Sequence, residues 1–420
     1  MKITLTQFRP NTAEAVWTDC FAQAIAELHK AGGGVLTVPT GEYSTGPIEL
    51  CSNIELHLEP GAVIRFLNDP AAFPLQECQY EGRISHRPKP CLSAFNAENV
   101  ALTGSGVLDG CGAPWWAAQR ARTLANGRPY LLHFENVTHL RVCGVQLRNS
   151  PAWTVHPLNC VDVLIEDVSI CNPYNSPNTD GINPESCRDA RILNCRVDVG
   201  DDCITLKSGT EETPSPAPCE NIVIANCLLV HGHGGIVIGS EMSGGVRNVT
   251  VTNCVFTGTD RGLRVKTRRR RGGCVENLRL SNLVMERVFC PFVFNMYYSC
   301  GTAEKDRWVW EKTPYPVDGG TPAFRNIRIN GVTVVGATAS AGFFYGLAES
   351  PIDGLSLTDC HIEMARGAAP EKPAMMGNLE PMSARGFFLR NAKNVEFHNV
   401  TLKNADGEAY DTDESVDGEF

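Results

Sequence analysis

Acidic and basic side chains recur in four short segments near the middle of the chain. The segments are Thr179-Asp-Gly-Ile-Asn-Pro-Glu185, Asp201-Asp-Cys-Ile-Thr-Leu-Lys207, His233-Gly-Gly-Ile-Val-Ile-Gly239 and Asp260-Arg-Gly-Leu-Arg-Val-Lys266. The side chains in them that suit catalysis are Asp180, Asp201, Asp202, His233, Arg264 and Lys266. Hydrolysis of a glycosidic bond needs one carboxylic acid to protonate the leaving oxygen and one carboxylate to activate water or attack the sugar. The segments therefore predict glycoside hydrolysis, provided that the fold brings them together.

The four segments align on one apolar column, formed by Ile182, Ile204, Ile236 and Leu263. In this alignment Asp180 and Asp202 become neighbours, while Arg264 and Lys266 stand at odd offsets from the column and are expected to point outward. Cations beside acids suit a substrate that carries its own carboxylate. Crowded carboxylates resist joint ionisation, so we expect a raised pKa for at least one of them. The alternative, that these acids only fill turns, suits one Gly-Asp-Asp segment better than four aligned ones.

A nine-residue pattern predicts the element that positions these segments. It reads polar or Gly, apolar, any, apolar, any, small polar or Gly, apolar, any, apolar. Copies begin at Asn99, His139, Asp162, Asp189, Asn221, Asn248, Asn277, Asn326, Gly354 and Asn394. Alternating apolar residues broken by Asn, Asp or Gly indicate strand, turn, strand, and stacking of such repeats predicts an all-β parallel β-helix. Leucine-rich repeats are the main rival, but their signature is not the one that repeats here.

The two ends of the chain differ from the repeats. Asn11 and Glu14 resemble a capping box, and an apolar face formed by Trp17, Phe21, Ile25 and Leu28 predicts a helix that Gly32-Gly33-Gly34 ends. We therefore predict one β-helix domain over residues 1–404, with an N-terminal capping helix at about 11–34. The acidic residues 405–420 are interpreted as a solvated, frayed tail.

Composition excludes several classes of protein. The chain has 420 residues, a net charge of −10, 43% hydrophobic and 20% charged residues, which excludes a disordered chain. No apolar run reaches the roughly 20 residues of a membrane helix, and an acidic balance argues against nucleic acid as a partner. The 18 cysteines lack metal-binding spacings, so reduced, buried thiols are favoured over disulfides. Because no secretory signal is recognised, we expect a cytoplasmic protein, or a secreted one if a leader was removed.

The four segments resemble the polygalacturonases, glycoside hydrolase family 28. The motif blocks of that family correspond to Asn178-Thr-Asp180, Gly200-Asp-Asp202, Gly232-His-Gly234 and Arg264-Val-Lys266, and the resemblance extends over roughly residues 11–400. It implies a right-handed parallel β-helix that cleaves α-1,4-galacturonosyl links with inversion, without a metal or other cofactor. The expected partner is an anionic galacturonan or its oligomers, and the oligomeric state is not indicated.

The resemblance also implies roles for individual residues. Asp201 is expected to be the general acid, Asp180 and Asp202 to hold and deprotonate the water, and His233 to tune the acid. Inversion implies an acid-to-base separation of roughly 6.5–9.5 Å. The residues expected to bind the sugar or its carboxylate are Asn178, Arg264, Lys266 and Tyr297. His156 either lines the cleft or is a hydrogen-bonded structural histidine.

Several features leave alternatives open. Segments 69–89 and 112–128 are expected to be long loops near the cleft, and by analogy with related bacterial enzymes they favour exo action. Glu241 is interpreted as a solvated acid rather than a subsite residue, and Arg268–Arg271 as a solvated loop or a contact to a polyanionic sugar. Rhamnogalacturonan is the rival substrate among hydrolases. A metal-dependent, pectate-lyase-like enzyme and a non-catalytic carbohydrate-binding β-helix are the alternatives of other classes.

Overall fold

The computed structural model describes residues 1–10, 16–299, 302 and 306–420. Its two α-helices are α1, Thr18–Lys30, and α2, Ala113–Arg120. The apolar face of α1 is buried through Phe21, Ile25 and Leu28, and α1 contacts the first strands of the chain, as predicted for a capping helix. The helix begins after Trp17, so the prediction that Trp17 lies within it was wrong. The predicted capping box of Asn11 and Glu14 lies outside the described residues.

The chain forms two compact units, Met1–Asp201 and Asp202–Phe420. The strands of the first unit are β1 Lys2–Thr4, β2 Gly34–Val38, β3 Gly41–Thr45, β4 Ile48–Leu50, β5 Ile54–Leu58, β6 Ala62–Phe66, β7 Leu75–Tyr80, β8 Arg83–Pro88, β9 Leu92–Gly104, β10 Val107–Asp109, β11 Leu132–Cys143, β12 Gln146–Arg148, β13 Val155–Leu158, β14 Val161–Glu166, β15 Ser169–Cys171, β16 Arg188–Leu193 and β17 Arg196–Val199. They pair in parallel from one repeat to the next, for example β9 with β11 and β11 with β14. The exception among these strands is the antiparallel hairpin of β7 and β8.

The second unit continues the same pattern. Its strands are β18 Ile204–Leu206, β19 Cys219–Ala225, β20 Leu228–His231, β21 Ile236–Ile238, β22 Val246–Thr257, β23 Arg261–Lys266, β24 Cys274–Glu286, β25 Cys290–Asn295, β26 Ala323–Ala337, β27 Ser340–Tyr345, β28 Ile352–Met364, β29 Arg385–Arg390, β30 Ala392–Lys403, β31 Tyr410–Asp411 and β32 Val416–Glu419. One parallel sheet contains β18, β21, β23, β25, β27, β29 and β31 in that order. This sheet carries the second, third and fourth of the four segments.

The nine-residue pattern marks the corners of the coils. All ten residues at which a copy begins have a positive φ, from 52° at Asn394 to 74° at Gly354. L-residues avoid this left-handed region, and Asn, Asp and Gly tolerate it best, which explains why these types recur there. The strand register also agrees with the alignment of the copies, because Ile222 pairs with Val249 and Val249 pairs with Leu278. The predicted repeat is therefore confirmed as a structural repeat.

Asparagine side chains at these corners form a ladder of hydrogen bonds. The Nδ2 of Asn248 donates to Oδ1 of Asn221 at 3.0 Å, and the Nδ2 of Asn277 donates to Oδ1 of Asn248 at 3.0 Å. Each hydrogen bond thereby holds the corner of one coil against the corner of the next coil. It stabilises a left-handed backbone conformation that residues with a Cβ otherwise avoid.

Replacing Asn248 by Ala is expected to lower the free energy of unfolding by about 2 kcal/mol, because two hydrogen bonds are lost and alanine is strained at a φ of 57°. Urea denaturation measures this change. The control is Thr250→Ala on the same strand, where an exposed side chain is removed and a change of less than about 0.5 kcal/mol is expected. Equal losses in the two variants would contradict a structural role for the ladder.

The acidic segment 405–420 differs from its prediction. Most of it is exposed, but β31 pairs with β29 and β32 pairs with β30, so it adds strands to the last coil. Tyr410 stacks on Phe387 with ring centroids 5.6 Å apart. The interpretation as a frayed tail was wrong, because backbone pairing and aromatic stacking hold the segment in place.

Two further findings concern the described part of the chain. No helix there combines the length and the apolar character that a membrane crossing requires. Every cysteine in it is a free thiol, and most of these thiols are buried.

Candidate active site

Two of the predicted acids lie in the first unit and close together. The nearest carboxylate oxygens of Asp180 and Asp201 are within 4.8 Å. Asp180 is 4% exposed, and one of its oxygens accepts a hydrogen bond from the Nδ2 of Asn183 at 3.0 Å. Asp201 is half-buried. A nearly buried carboxylate beside a more accessible one can share a proton or a cation, or divide the roles of base and acid.

Inverting glycosidases usually separate the two carboxyl groups by about 6.5–9.5 Å, and retaining ones by about 5–5.5 Å. The 4.8 Å limit for Asp180 and Asp201 refers to one oxygen of each residue and not to the separation of the two carboxyl groups. The expected acid-to-base separation therefore stays a prediction.

The second unit carries the other catalytic candidates on β18, β21 and β23. Ile204 pairs with Ile236, and Ile236 pairs with Leu263, so this part of the predicted apolar column is correct. The column also places Asp202, His233 and Arg264 at the ends or faces of neighbouring strands. Parallel strands lie about 4.8 Å apart, which brings residues of successive coils into contact.

Asp202 lies between two cations. Its Oδ1 accepts from Nη1 of Arg264 at 3.1 Å, and its Oδ2 accepts from Nζ of Lys266 at 2.7 Å. Gly234 lies beside this group: a Cβ there would meet Cγ2 of Val237 at 2.5 Å, and would lie 3.3 Å from Oδ1 of Asp202. The three charged residues are 2–7% exposed. Arg264 and Lys266 thus lie on the same side as Asp202, and both bind it. Their expected contact with a substrate carboxylate stays a prediction.

These contacts determine the charge of Asp202. Burial alone would raise its pKa, but attraction to Lys266 and Arg264 outweighs burial and holds the pKa well below its usual range. His233, which is itself exposed, adds to the lowering. The prediction that crowding raises the pKa of an acid therefore does not describe Asp202, which remains ionised.

Asn178, a predicted sugar ligand, is half-buried and held by an arginine. Its Oδ1 accepts from Nη2 of Arg128 at 2.7 Å. The Nη1 of Arg128 donates to the carbonyl oxygens of Pro151 and Pro177 at 2.9 and 2.5 Å. Arg128 is 2% exposed, so it fixes the turn that precedes Asp180.

His156 is a buried structural residue rather than a cleft residue. It is 0% exposed; its Nε2 lies 2.9 Å from Oε2 of Glu185, and its Nδ1 lies 3.1 Å from Nδ1 of His133. Gln79 from the β7–β8 hairpin donates to Oε1 of Glu185 at 2.6 Å. The hairpin therefore contacts the acid that binds His156. Of the two alternatives given for His156, the structure supports the hydrogen-bonded structural histidine and not the cleft residue.

Tyr297 also lies elsewhere than predicted. It is 0% exposed and packs edge-on against Tyr345. Its neighbour Tyr298 is the tyrosine beside the cations, with its ring centroid 5.7 Å from the Arg264 guanidinium and 5.3 Å from Nζ of Lys266. Tyr298 thus takes the position for which Tyr297 was predicted.

The other charged residues singled out in the sequence are buried in ion pairs. Glu241 is 8% exposed, lies 3.1 Å from Nζ of Lys207, and is not a solvated acid. Burial opposes its ionisation, but Lys207 and two more distant cations lower its pKa to about 2. In the arginine run, Arg268 and Arg271 both bind Glu211, so neither forms a solvated loop or a free basic patch.

Three residues near the site were not predicted from the sequence. Asn183 shares the first segment with Asp180, and its spacing of three residues could have suggested the contact. Arg128 and Tyr80 come from the two segments predicted as long loops, which instead contain α2 and the β7–β8 hairpin. Burial and a negative charge at Glu81 raise the pKa of Tyr80, and Asp180 contributes to the increase, so its hydroxyl lies within electrostatic reach of Asp180.

Comparison with known proteins gives one consistent family. The model described as Glycosyl hydrolases family 28 matches residues 36–367. A probable polygalacturonase of Vitis vinifera is 30% identical over 363 residues, which are 84% of this chain and 72% of that protein. An exopolygalacturonase of Platanus acerifolia is 26% identical over 336 residues, covering 76% of this chain and 82% of that protein.

Solved structures agree with this match. A hyperthermoactive exopolygalacturonase from Thermotoga maritima superimposes with a TM-score of 0.75 at 30% identity, covering 96% of this chain and 92% of that one. A family 28 exopolygalacturonase from Yersinia enterocolitica, at 19% identity, superimposes with a TM-score of 0.78 and covers 100% of this chain and 78% of that one, which shows the shared fold. The predicted right-handed parallel β-helix is thereby confirmed.

Proposed function

The chain belongs to glycosyl hydrolases family 28, and from that premise we propose that it hydrolyses α-1,4-galacturonosyl links of pectic galacturonides. The observation that carries the proposal is the close pair of Asp180 and Asp201, followed along the chain by an Asp202 that two cations keep ionised. An acid, a base and a fixed negative charge are the groups that hydrolysis of a glycosidic bond needs.

The proposed roles follow from accessibility and charge. Half-buried Asp201 gives its carboxylic proton to the glycosidic oxygen as the bond from that oxygen to C1 breaks. Asp180 and ionised Asp202 orient the attacking water, and one of them takes its proton as the water oxygen bonds to C1. His233 then assists reprotonation of Asp201. Positive charge on Arg264 and Lys266 favours a galacturonate carboxylate near Asp202, although both cations already bind that residue.

We propose inversion at C1, because a water held by carboxylates attacks directly and no covalent sugar-enzyme bond is required. Family membership is the support, and the anomer of the first product decides the question.

We also propose action from a chain end. The β7–β8 hairpin is anchored on the Asp180 side of the first unit by the Gln79–Glu185 hydrogen bond and by Tyr80, which stacks on Trp153 with centroids 4.8 Å apart. Arg87 covers the other contact surface of Tyr80, with its guanidinium 3.8 Å from the ring centroid. A hairpin held this firmly supports a closed end to the substrate groove, where room remains for few sugar units.

One experiment tests all three proposals. Wild-type protein is incubated with a defined oligogalacturonide, and ¹H NMR follows the anomeric signals from the first minutes. We expect galacturonic acid monomer from the start, released as the β-anomer before mutarotation. A ladder of sizes would contradict chain-end action, and a first product in the α-form would contradict inversion.

The same samples distinguish the rival functions. Unsaturated, ultraviolet-absorbing products that disappear with a chelator would indicate a lyase. Cleavage of rhamnogalacturonan in preference to galacturonan would change the substrate assignment. Saturable binding of the oligomer with no new reducing ends would indicate a binding protein, and would contradict the hydrolase proposal.

A further inference from the structure

A lysine outside the four segments lies on the faces of two tyrosines. The Nζ of Lys312 is 3.3 Å from the ring centroid of Tyr297 and 4.4 Å from that of Tyr345. The Lys312 side chain as a whole is exposed, whereas Tyr297 is fully buried and Tyr345 is half-buried. The two rings therefore hold the ammonium group in one position, at the end of a side chain that is exposed as a whole.

The carboxylates of this region already have other partners. Glu349 forms a two-point ion pair with Arg269, at 2.5 and 2.9 Å. Glu311 accepts from Nη2 of Arg307 at 2.6 Å and from the hydroxyl of Tyr315 at 2.5 Å. Within the described residues, Lys312 has no carboxylate within ion-pair distance. Its positive charge is thus not compensated by a carboxylate of the described residues.

Two further observations concern the polar groups at this place. The hydroxyl of Tyr297 is buried and lacks a hydrogen-bond partner among the described residues. Partial burial of the Lys312 ammonium, and repulsion from Arg269, lower the pKa of Lys312 to about 7. An anion beside Lys312 would relieve this repulsion and favour the charged ammonium.

We propose that Lys312, with the half-buried ring of Tyr345, forms a second uronate subsite that binds the carboxylate of a galacturonate unit away from the point of cleavage. An aromatic ring beside a cation suits a carboxylated sugar, because the ring takes the apolar face of the sugar and the ammonium takes the carboxylate. This inference rests on the proposed function, since that function supplies the galacturonate.

The chain itself links this subsite to the catalytic cations. Tyr298 faces Arg264 and Lys266, and the preceding residue, Tyr297, faces Lys312. Consecutive Cα atoms are about 3.8 Å apart, so the two tyrosines place their cations within a few sugar units of each other. A polymer with a carboxylate on every unit can then contact both groups of cations at once.

The first test compares the kinetics of wild type and Lys312→Met on an oligogalacturonide. Met keeps the length of the side chain and removes the charge. We expect KM to rise about tenfold because one charge-assisted contact is lost, and we expect kcat to stay within about twofold of the wild-type value. Lys312→Arg is expected to recover most of the affinity. The matched control is Lys403→Met on β30, an exposed lysine for which no change in KM is expected.

The second test does not depend on turnover. Protein with isotope-labelled lysine is titrated with galacturonate and, separately, with neutral galactose, and the Lys312 side-chain NMR signal is assigned by its absence in Lys312→Met. A saturable shift with galacturonate alone supports the subsite. A signal that moves with neither sugar, or an unchanged KM in Lys312→Met, overturns it. A wild type that releases no galacturonate but shows the shift would reject the proposed function and retain the anion site.

Discussion

Replacing Asp201 by Asn is expected to lower kcat by about a thousandfold, because the proton for the leaving oxygen is lost while the shape of the side chain is kept. The substitution leaves Asp180 and Asp202 in place, so substrate affinity should change little. Initial rates on a defined oligogalacturonide, with KM measured separately from kcat, provide the measurement. Binding of the same oligomer by the Asp201→Asn protein shows whether the groove is intact.

The matched control for this variant is Asp189→Asn. Asp189 lies in the same unit, at a corner with a φ of 59°, where asparagine is the residue most often found in this repeat. Its side chain is about half exposed, and one of its carboxylate oxygens lies 3.6 Å from Nε of Arg188. We expect wild-type rates from this variant. Full activity in Asp201→Asn, or an equal loss in both variants, would reject Asp201 as the acid.

The repeat could be predicted from the sequence because it depends on the conformational preferences of neighbouring residues. A left-handed corner is unfavourable for most residues, so each coil carries Asn, Asp or Gly at the same positions, as at Asn221 and Asn248. The alternation of apolar residues then fixes which side chains enter the interior, and Ile236 and Leu263 pair as the alignment requires. Fold class and the order of the catalytic segments follow from these two signals.

The error at Tyr297 lies just after the end of a strand, where the resemblance that suggested this residue does not specify the backbone conformation. Strand β25 ends at Asn295, whose side chain accepts a hydrogen bond from the backbone N–H of Tyr297 at 2.8 Å. This bond forms a turn, after which alternate residues no longer share a face. Tyr298 therefore meets the catalytic cations, and no periodicity in the sequence indicates that exchange.

Long-range partners account for the remaining errors. The arginine run reads as a solvated basic segment because its acids are distant in sequence: Arg269 binds Glu349, 80 residues away. In the same way, the buried surroundings of His156 include Glu185, which Gln79 of the hairpin binds. Such contacts depend on loops whose conformation the repeat does not specify.

Removing Lys266 tests whether the ionised state of Asp202 depends on its cations. Lys266→Met removes one of the two cations that bind the nearly buried carboxylate of Asp202, and Arg264 is the other. We therefore expect the free energy of unfolding at pH 7 to fall by about 3 kcal/mol. Urea denaturation measures this loss. The control is Lys393→Met, because Lys393 forms an exposed pair with Asp353 at 3.2 Å, and a change below about 1 kcal/mol is expected.

The pH dependence of the same variant has a definite sign. The pKa of Asp202 in the folded protein lies below its ordinary value, so its contribution to stability is present above the unfolded-state pKa of about 3.9 and is lost as the pH falls through the folded-state value. Lys266→Met raises the folded-state pKa of Asp202, so the folded-state and unfolded-state pKa values lie closer together. The contribution of Asp202 to stability is then lost at a higher pH. Because Asp202 acts as a carboxylate in the proposed mechanism, the acid limb of kcat/KM should move upward as well. An acid limb that stays in place while stability falls would show that Lys266 supports the fold and that the ionisation of Asp202 does not limit the reaction.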